Sequence, residues 1–512
     1  MKAIRLLIVP CAALLCQKLS AHLTPIFENL RGVPNPSVAG EPIVAEFFPV
    51  RAIASLCLLL LLVGAAPIAQ ATPVIALRGA TLVDLADFGR STRDVPDSTV
   101  LIQGDRIVAA GSAADVAVPD GARVIDVSGK FLVPGLIDAF SVQNNENQAR
   151  AHLYMGVTTI FTSVRDSRRG ASFPVPQGPT LLEFSVVVGH DMRGMSQVET
   201  VAQLRAAPAL SSAQIESYVD AQRWDDYRAI LLYYSLTPEQ TAAAARRSRA
   251  QKLIAIGEVG HTGVLQAARM GVPVFVHFNR YLLDLAPPAL RRAVADDPFG
   301  PARTEYMHFL QQLDPASPAL RDYAIALAAE PVALMPTLAL ISLSLPDHAN
   351  PWKDPVAVLI DPADIMRPAD PVTGDAPVHW GRTRELEQAN ALRLLELQRV
   401  LVKHGVKFVL GSGADAFGVL PGLGAHIEME LLVRIGLTPR QALAAGTANL
   451  SGLLDFVDYG VIRPGARADL LLLDADPSTD IRHVRRIARL FVRGVEMDRP
   501  ALLMRVAPTP PD

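Results

Sequence analysis

The chain has 512 residues, of which 50% are hydrophobic and 6% are aromatic. This length is enough for one large α/β domain with a smaller companion. The formal net charge of −3 and the isoelectric point near 6.4 provide no basic surface, so nucleic acid is excluded as an expected partner.

The three cysteines, Cys11, Cys16 and Cys57, all lie near the N-terminus, and none follows them. The remainder of the chain therefore forms no disulfide, no thiolate zinc site and no cysteine nucleophile. Any metal or catalytic site must use His, Asp, Glu, Lys or hydroxyl side chains.

Residues 1–71 have the pattern of a secretory leader. Arg51 precedes a long apolar run that ends on small residues at Ala71, which predicts a signal peptide cleaved after Ala71 and translation that begins near Val50. The alternative is an uncleaved anchor, since the run approaches the ~20 residues that span a bilayer. Gly and Pro interrupt the run and favour cleavage. We expect a periplasmic or secreted protein with no membrane contact after cleavage.

Both ends of the mature chain are rich in predicted strands. Residues 72–133 and 460–505 contain short β-branched runs separated by Gly and Asp turns, with Gly104-Asp105 at a predicted hairpin tip. Strands at both ends, separated by a long middle segment, predict one small β-sandwich assembled from the two ends.

The middle segment, 134–459, alternates apolar runs with helical patterns, which predicts βαβ units around a parallel sheet. Thr237 and Thr438 are predicted helix N-caps, each followed by Pro and then Gln. The repeated units favour a (β/α)₈ TIM barrel, and an open doubly wound sheet is the alternative. Pro- and Asp-rich segments predict loops at the barrel mouth over 281–303 and 344–382. The predicted strands lie in GVTTIFT, YRAILLYY, KLIAI, VPVFVHF, EPVALMPT and VKFVLGS.

Several strings resemble the amidohydrolase superfamily, closest to its imidazolonepropionase- and prolidase-like branch. They are GKFLVPGLIDAF (129–140), HLYMGVTTI (152–160), GSGADA (411–416) and AGTANLSGLLDFVDYGVIRPGARADLLLLDADP (445–477). The resemblance spans nearly all of 74–496. It implies a TIM barrel with a companion sandwich, and a metal-dependent hydrolase of non-peptide C–N bonds or dipeptides.

The resemblance also implies a metal site at the carboxyl ends of the barrel strands, where metals activate water and polarise a carbonyl. His-x-His is implied after the first strand, but the sequence has Phe140-Ser141-Val142. A bridging Lys is implied at Leu231, or at Leu232 with a one-residue slip. The side chains of Phe, Val and Leu carry no lone pair, so the predicted site is degenerate at Phe140, Val142 and Leu231.

Three other positions keep polar side chains. Glu258 stands where the resemblance implies a His, and could ligate a metal or act as a base; the alternative is a solvated residue near a helix start. His277 matches a further His ligand, and the alternative is a buried His satisfied by the backbone. Asp415 matches the catalytic Asp, which takes a proton from water and gives it to the leaving group; extra neighbouring residues leave a turn aspartate as the alternative.

These residues support two functional hypotheses. Glu258, His277 and Asp415 could hold one divalent metal such as zinc at most, so the first is a barrel that binds a small molecule, without a cofactor, and is impaired or inactive as a hydrolase. The second is a mononuclear or metal-free amidohydrolase that acts on a small cyclic amide or dipeptide-like substrate, with Asp415 as the acid/base. Homo-oligomerisation stays open. His426 and Glu428 are expected on exposed helix faces.

Overall fold

A computed structural model describes residues 73–163, 178–190, 207–222, 228–298, 300–378, 382–454 and 458–507. The predicted leader over 1–71 lies outside the described residues. Within the described ranges, no helix combines the length and the apolar composition needed to cross a bilayer.

Sixteen strands form two sheets in the described chain. The strands are β1 (Val74–Leu82), β2 (Val95–Gln103), β3 (Arg106–Ser112), β4 (Arg123–Asp126), β5 (Phe131–Pro134), β6 (Leu136–Asp138), β7 (Val157–Ser163), β8 (Thr180–Val187), β9 (Ala229–Leu232), β10 (Ile254–Gly257), β11 (Val274–Val276), β12 (Ala333–Met335), β13 (Lys407–Phe408), β14 (Leu470–Leu473), β15 (Ile487–Val492) and β16 (Val495–Met497).

The described helices mostly follow barrel strands. They are α1 (Ala86–Gly89), α2 (Glu146–Tyr154), α3 (Ser212–Gln222), α4 (Pro238–Ala250), α5 (Val264–Arg269), α6 (Pro288–Asp296), α7 (Ala302–Gln312), α8 (Pro318–Ala329), α9 (Arg384–Lys403), α10 (Leu423–Arg434), α11 (Pro439–Ala445), α12 (Ala448–Leu454) and α13 (Arg499–Leu502), with 3₁₀ turns at Tyr281–Leu285, Leu338–Ser344, Pro351–Lys353, Pro355–Leu359, Pro362–Asp364 and Ile481–Arg485.

The first sheet unites the two ends of the mature chain. Its strand order is β16-β15-β14-β5-β1-β2-β3, with β4 also paired to β1. The C-terminal strand β14 runs antiparallel to β5, with Leu470 opposite Pro134. The hairpin predicted at Gly104-Asp105 joins β2 to β3. The second layer that a sandwich requires stays a prediction.

The second sheet is the parallel sheet predicted for the middle of the chain. Strands β6 to β13 are neighbours in sequence order, and each described pairing is parallel. Backbone hydrogen bonds also join the first strand to the segment after the last: Ala139 N donates to Leu410 O at 3.0 Å and Gly413 N to Phe140 O at 2.8 Å. This arrangement is TIM-barrel-like.

Side chains alternate between the two faces of this sheet, and both faces are covered, which explains why the strands have continuous apolar sequences. Leu231 belongs to an apolar cluster formed by the strand faces on one side of the sheet, while its neighbours Ile230 and Leu232 pack with the helices on the other side. Successive side chains in a strand point to opposite faces, so both faces of a covered parallel sheet must be apolar. Leu231, rather than Leu232, faces the barrel interior.

Both predicted N-caps are confirmed. Thr237 begins α4 and Thr438 begins α11, each with a reciprocal capping box to the Gln three residues on. The loop predicted over 281–303 is wrong, because α6 begins at Pro288 within it; proline at the first turn favours a helix start. The segment 344–382 contains short 3₁₀ turns instead of a long helix.

Arg440 links the barrel to the terminal sheet and should contribute measurably to stability. Its guanidinium donates to both carboxylate oxygens of Asp94, at 2.5 and 2.8 Å, and to Asp84 O at 2.9 Å. These bonds hold the pKa of Asp94 below its ordinary value. Arg440→Met should lower the free energy of unfolding by about 2 kcal/mol in urea titrations, since it leaves a partly buried carboxylate unpaired.

Arg434 offers the matched control. It pairs with Asp347, whose side chain is 64% exposed, and Arg434→Met should cost less than about 1 kcal/mol. Equal losses for the two variants would contradict the assigned role of Arg440.

Candidate functional site

A cavity of about 350 Å³ lies at the carboxyl ends of the barrel strands. Phe140 follows β6, Glu258 follows β10 and His277 follows β11, and all three line this cavity. The carboxyl ends of the strands form the end of a TIM barrel that carries the active site. The structure therefore brings together three of the site residues predicted from sequence, at the expected place.

Phe140 is the first of the positions predicted to have lost a metal ligand, and its ring contacts two other rings. Its ring stacks on Phe184, with centroids 5.5 Å apart, and meets the ring of His277 edge-on at 5.1 Å. Gly411 makes room for it, because a Cβ there would lie 2.8 Å from the Phe140 Cβ. An aromatic ring thus packs directly on the imidazole that the resemblance assigns to the metal.

The other two positions predicted to be degenerate, Leu231 and Val142, differ in their placement. Leu231 is 4% exposed inside the barrel. Val142 does not line the cavity among the described residues, and its carbonyl oxygen lies 3.1 Å from His152 Nε2. Burial lowers the pKa of His152 to about 4, so this imidazole is neutral and donates to Val142 O.

Glu258 is buried and paired. It is 7% exposed, and its Oε1 accepts from Arg280 Nε at 3.2 Å and lies 3.1 Å from Nη2 of the same guanidinium. The guanidinium of Arg280 also lies over the Tyr234 ring, 5.3 Å from its centroid. The solvated alternative for Glu258 is therefore wrong, and its carboxylate is held by a cation.

His277 has a defined tautomer. Its Nδ1 lies 3.0 Å from Thr337 Oγ1, whose single proton goes to Pro336 O at 2.6 Å. Nδ1–H must then donate to Thr337, which leaves the lone pair on Nε2. Burial lowers the pKa of His277, so the ring is neutral. His277 and Thr337 both have positive φ, 69° and 54°, a strain that is typical of functional sites.

Asp415 is not among the described residues that line this cavity. Its Oδ2 accepts from Asn144 Nδ2 at 3.0 Å, and its backbone oxygen accepts from Met366 N. Gly413, two residues earlier, lines the cavity instead. The role of Asp415 as a catalytic acid/base stays a prediction.

Two other buried carboxyl groups lie behind the cavity wall. Asp138, fully buried, accepts from Ser412 N at 2.8 Å and from Ser412 Oγ at 2.6 Å; burial raises its pKa to about 6. Glu428, also fully buried, accepts from Ala339 N at 2.7 Å; burial raises its pKa to about 8. The exposed positions predicted for Glu428 and His426 are wrong, since His426 is 2% exposed.

The donors at the cavity do not fit the metal centre that the resemblance implies. No group of three or more His, Cys, Asp or Glu side chains in the described ranges is arranged to hold a metal ion. Glu258 is paired with Arg280, and His277 offers one lone pair, on Nε2. Three protein ligands are typical of catalytic zinc, which exceeds what these two residues supply.

Sequence analysis missed the cationic character of the cavity. Four arginines line it, against two glutamates, Glu258 and Glu387. Arg280 could have been found, because it closely follows the strand end at His277. The other three lie outside the strand pattern, on α7 or in the long segment between β12 and α9. The four are Arg280, Arg303, Arg367 and Arg382.

Comparison with known proteins finds a short likeness in sequence and a long likeness in fold. No family model matches the chain. Over 82 residues it is 37% identical to an imidazolonepropionase of Rhodococcus jostii, covering 15% of this chain and 19% of the relative. The chain thus spans about a fifth of the length of the curated relatives it matches.

The likeness to solved structures is much longer. Molinate hydrolase is 18% identical, with a TM-score of 0.53 over 86% of this chain and 99% of that one. A Xaa-Pro dipeptidase with bound methionine is 14% identical, with a TM-score of 0.53 over 83% and 99%. The predicted resemblance to the amidohydrolase superfamily is confirmed. Degeneracy of the metal site within this amidohydrolase fold stays a prediction.

Proposed function

We propose that this amidohydrolase-fold protein binds a small molecule in its barrel cavity and that two-metal hydrolysis of C–N bonds is lost or strongly impaired. The observation that carries the proposal is Phe140, whose ring is packed against His277 at 5.1 Å where a metal-binding imidazole is implied. A phenyl ring donates no lone pair to a metal, and it gives the cavity an apolar floor that suits an organic ligand.

The remaining polar groups support binding more than metal hydrolysis. Glu258 is held by Arg280, and a carboxylate paired with a guanidinium is a poor competitor for a cation. Leu231 occupies the place of the bridging Lys and is buried in apolar surroundings. The metal ligands implied at Phe140 and Leu231 are thus replaced by apolar side chains, and the carboxylate of Glu258 is paired with Arg280.

A second candidate is supported by His277. Its Nε2 lone pair belongs to a neutral imidazole that lines the cavity, and such a group can accept a proton from water or a substrate hydroxyl. The chain would then be a metal-free or mononuclear amidohydrolase acting on a small cyclic amide or dipeptide-like substrate, with His277 as the base.

Closure of the barrel, the terminal sandwich and the cellular location are also part of this proposal. The hydrogen bonds from Ala139 and Gly413 support closure of the eight strands into a full barrel, and the terminal sheet would form one layer of a sandwich. The leader pattern over 1–71 supports a periplasmic or secreted protein.

Metal content and hydrolysis together test the proposed function. The purified chain, incubated with zinc and then desalted, should retain far less than one ion per chain by elemental analysis. Panels of dipeptides and cyclic amides should show no hydrolysis that a chelator abolishes. Near-stoichiometric metal with chelator-sensitive hydrolysis would contradict the proposal.

Phe140→His is the matched variant for this assay. It places an imidazole beside His277, which adds a second nitrogen ligand at a site where zinc usually requires three. We expect it to retain more zinc than the parent. Equal retention by both proteins would show that Phe140 does not limit metal binding.

A further inference from the structure

Thr337 uses its hydroxyl group to hold His277 and does not cap the turn that it begins. It precedes the 3₁₀ turn Leu338–Ser344, and a Thr at such a position usually accepts a hydrogen bond from an N–H two or three residues on. Here φ is 54° and ψ is 45°, and the side chain makes no capping bond. The hydroxyl oxygen accepts from His277 Nδ1 at 3.0 Å, and the hydroxyl proton goes to Pro336 O at 2.6 Å.

Glu428 supplies the capping bond that Thr337 does not make. It lies on α10, is fully buried, and its Oε2 accepts from Ala339 N at 2.7 Å. Ala339 is the second residue of the turn and is also fully buried, so water cannot pair with this N–H. A buried N–H without an acceptor costs about 1–3 kcal/mol. A carboxyl group from another helix therefore takes the place of the Thr337 side chain.

Backbone contacts join this turn to the strand end that carries His277. His277 N donates to Met335 O at 3.0 Å, and Phe278 N donates to Pro336 O at 2.9 Å. The backbone of His277 has a φ of 69°, a conformation that persists only where the surroundings hold it. The imidazole is therefore held both by the backbone of the neighbouring strand end and by the hydroxyl group of Thr337.

The tautomer of His277 decides what this side chain offers to a ligand. With Nδ1–H donating to Thr337, the lone pair is on Nε2, and the side chain lines the cavity. Nε2 has no hydrogen-bond partner within the described ranges. In the other tautomer Nε2 would carry the proton, and the ring would present a donor to the cavity in place of an acceptor.

We propose that Glu428 is a positioning residue for His277. By capping the turn Leu338–Ser344, it frees the hydroxyl group of Thr337 to fix the imidazole as the Nδ1–H tautomer, which presents the Nε2 lone pair to an N–H or O–H group of a ligand. Glu428 is not among the described residues that line the cavity, so it acts through Thr337. The inference rests on the proposed function, in which His277 faces the ligand without a metal pair.

Nitrogen NMR of the full chain in EDTA tests this inference. The ring nitrogens of the 11 histidines are isotopically labelled, and His277→Gln identifies the signals of His277. A protonated ring nitrogen and one with a lone pair give separate signals, so the spectrum reports the tautomer directly. At neutral pH the parent should show His277 in one form, with Nδ1 protonated and Nε2 unprotonated.

Two pairs of variants separate hydrogen bonding from packing. Glu428→Gln keeps an acceptor for Ala339 N and should keep the single tautomer. Glu428→Leu has a similar volume and no acceptor, so the fraction of the Nδ1–H form should fall about twofold, toward a mixture without preference. Thr337→Ser keeps the hydroxyl group and should match the parent, whereas Thr337→Val removes it and should give the mixture.

Glu430→Leu is the matched control on α10. It removes a partly buried carboxyl group whose charged neighbours are Arg485 and Arg482, and it should leave the signals of His277 unchanged. Thermal unfolding shows which variants are folded. If Glu428→Leu does not fold, Glu428→Met replaces it, because Met is flexible, fills irregular space and offers only a weak acceptor.

A parent that shows Nε2–H or two tautomers at His277 would overturn the inference. So would a folded Glu428→Leu or Glu428→Met with the spectrum of the parent, or an equal change in Glu430→Leu. The metal assay above separates the inference from the proposed function. A metal-dependent hydrolase whose His277 tautomer depends on Glu428 in EDTA refutes the proposed function alone. A metal-free chain whose His277 tautomer does not depend on Glu428 refutes the inference alone.

Discussion

Glu428→Gln should stabilise the protein most above pH 8 and should remove much of its loss of stability between pH 5 and 8. Glu428 is fully buried, with Oε2 accepting from Ala339 N at 2.7 Å and Oε1 unpaired among the described residues. Burial raises its pKa from the ordinary value of 4.5 to about 8. Gln keeps the acceptor for Ala339 and carries no charge.

The direction of this change in stability follows from proton binding by Glu428 in the folded and unfolded chains. Because the folded pKa is the higher one, the unfolded chain releases this proton above about pH 4.5 while the folded chain keeps it. Stability therefore falls as pH rises from about 4.5 and levels off above about 8. A shift of this size corresponds to a loss on the order of 5 kcal/mol.

Urea unfolding of parent and variant from pH 5 to 9 measures this slope. Glu305→Gln is the control, since Glu305 is an exposed glutamate on α7, and it should leave the slope unchanged. If the parent and Glu428→Gln have the same dependence on pH, the carboxyl group of Glu428 does not titrate in this range.

The prediction that Glu428 is exposed was wrong, because the polar pattern of one helix does not show which elements pack against it. Polar residues on a helix are expected to face solvent, but α10 packs against the 3₁₀ turn Leu338–Ser344 on one side and Ile481–Arg485 on another. With both sides covered, His426 donates to Met155 O at 2.7 Å, and burial lowers its pKa to about 4. Both residues are buried by tertiary packing, which the sequence of a single helix does not show.

The barrel strands were predictable because their sequence periodicity is local. Each is a short apolar run with both faces covered, and the alternation of Ile230, Leu231 and Leu232 between two cores accounts for that run. The same logic placed Phe140 and His277 together, since residues that follow parallel strands meet at one end of the barrel.

The rest of the site is formed by loops, whose sequences have no periodicity from which their positions can be predicted. Asp415 was expected in the cavity from a short motif, yet the extra residues after Gly411 bring Gly413 to the wall and pair Asp415 with Asn144. Arg367 and Arg382 come from the long segment before α9, and their distance from β11 in the sequence hid the fact that they line the same cavity as His277. Long-range contacts of this kind leave no periodic signal.

Asp138→Ala should destabilise the protein by about 3 kcal/mol relative to Asp138→Asn at pH 7, because the Ala variant leaves two buried Ser412 donors without an acceptor. In the parent, Asp138 accepts both of them, N at 2.8 Å and Oγ at 2.6 Å. Asn keeps an oxygen for Ser412 N, and the hydroxyl can turn to accept from its amide. Urea unfolding of the two variants measures the difference.

The parent and Asp138→Asn should diverge with pH in a different window from Glu428. Burial raises the pKa of Asp138 from 3.8 to about 6, so this carboxyl group contributes a loss of stability as pH rises from about 3.8 to 6, and the Asn variant lacks that contribution. Urea unfolding of the parent and Asp138→Asn from about pH 3.5 to 7 measures this divergence. Parallel stability curves for the two proteins over that range would mean that the carboxyl group of Asp138 does not titrate there.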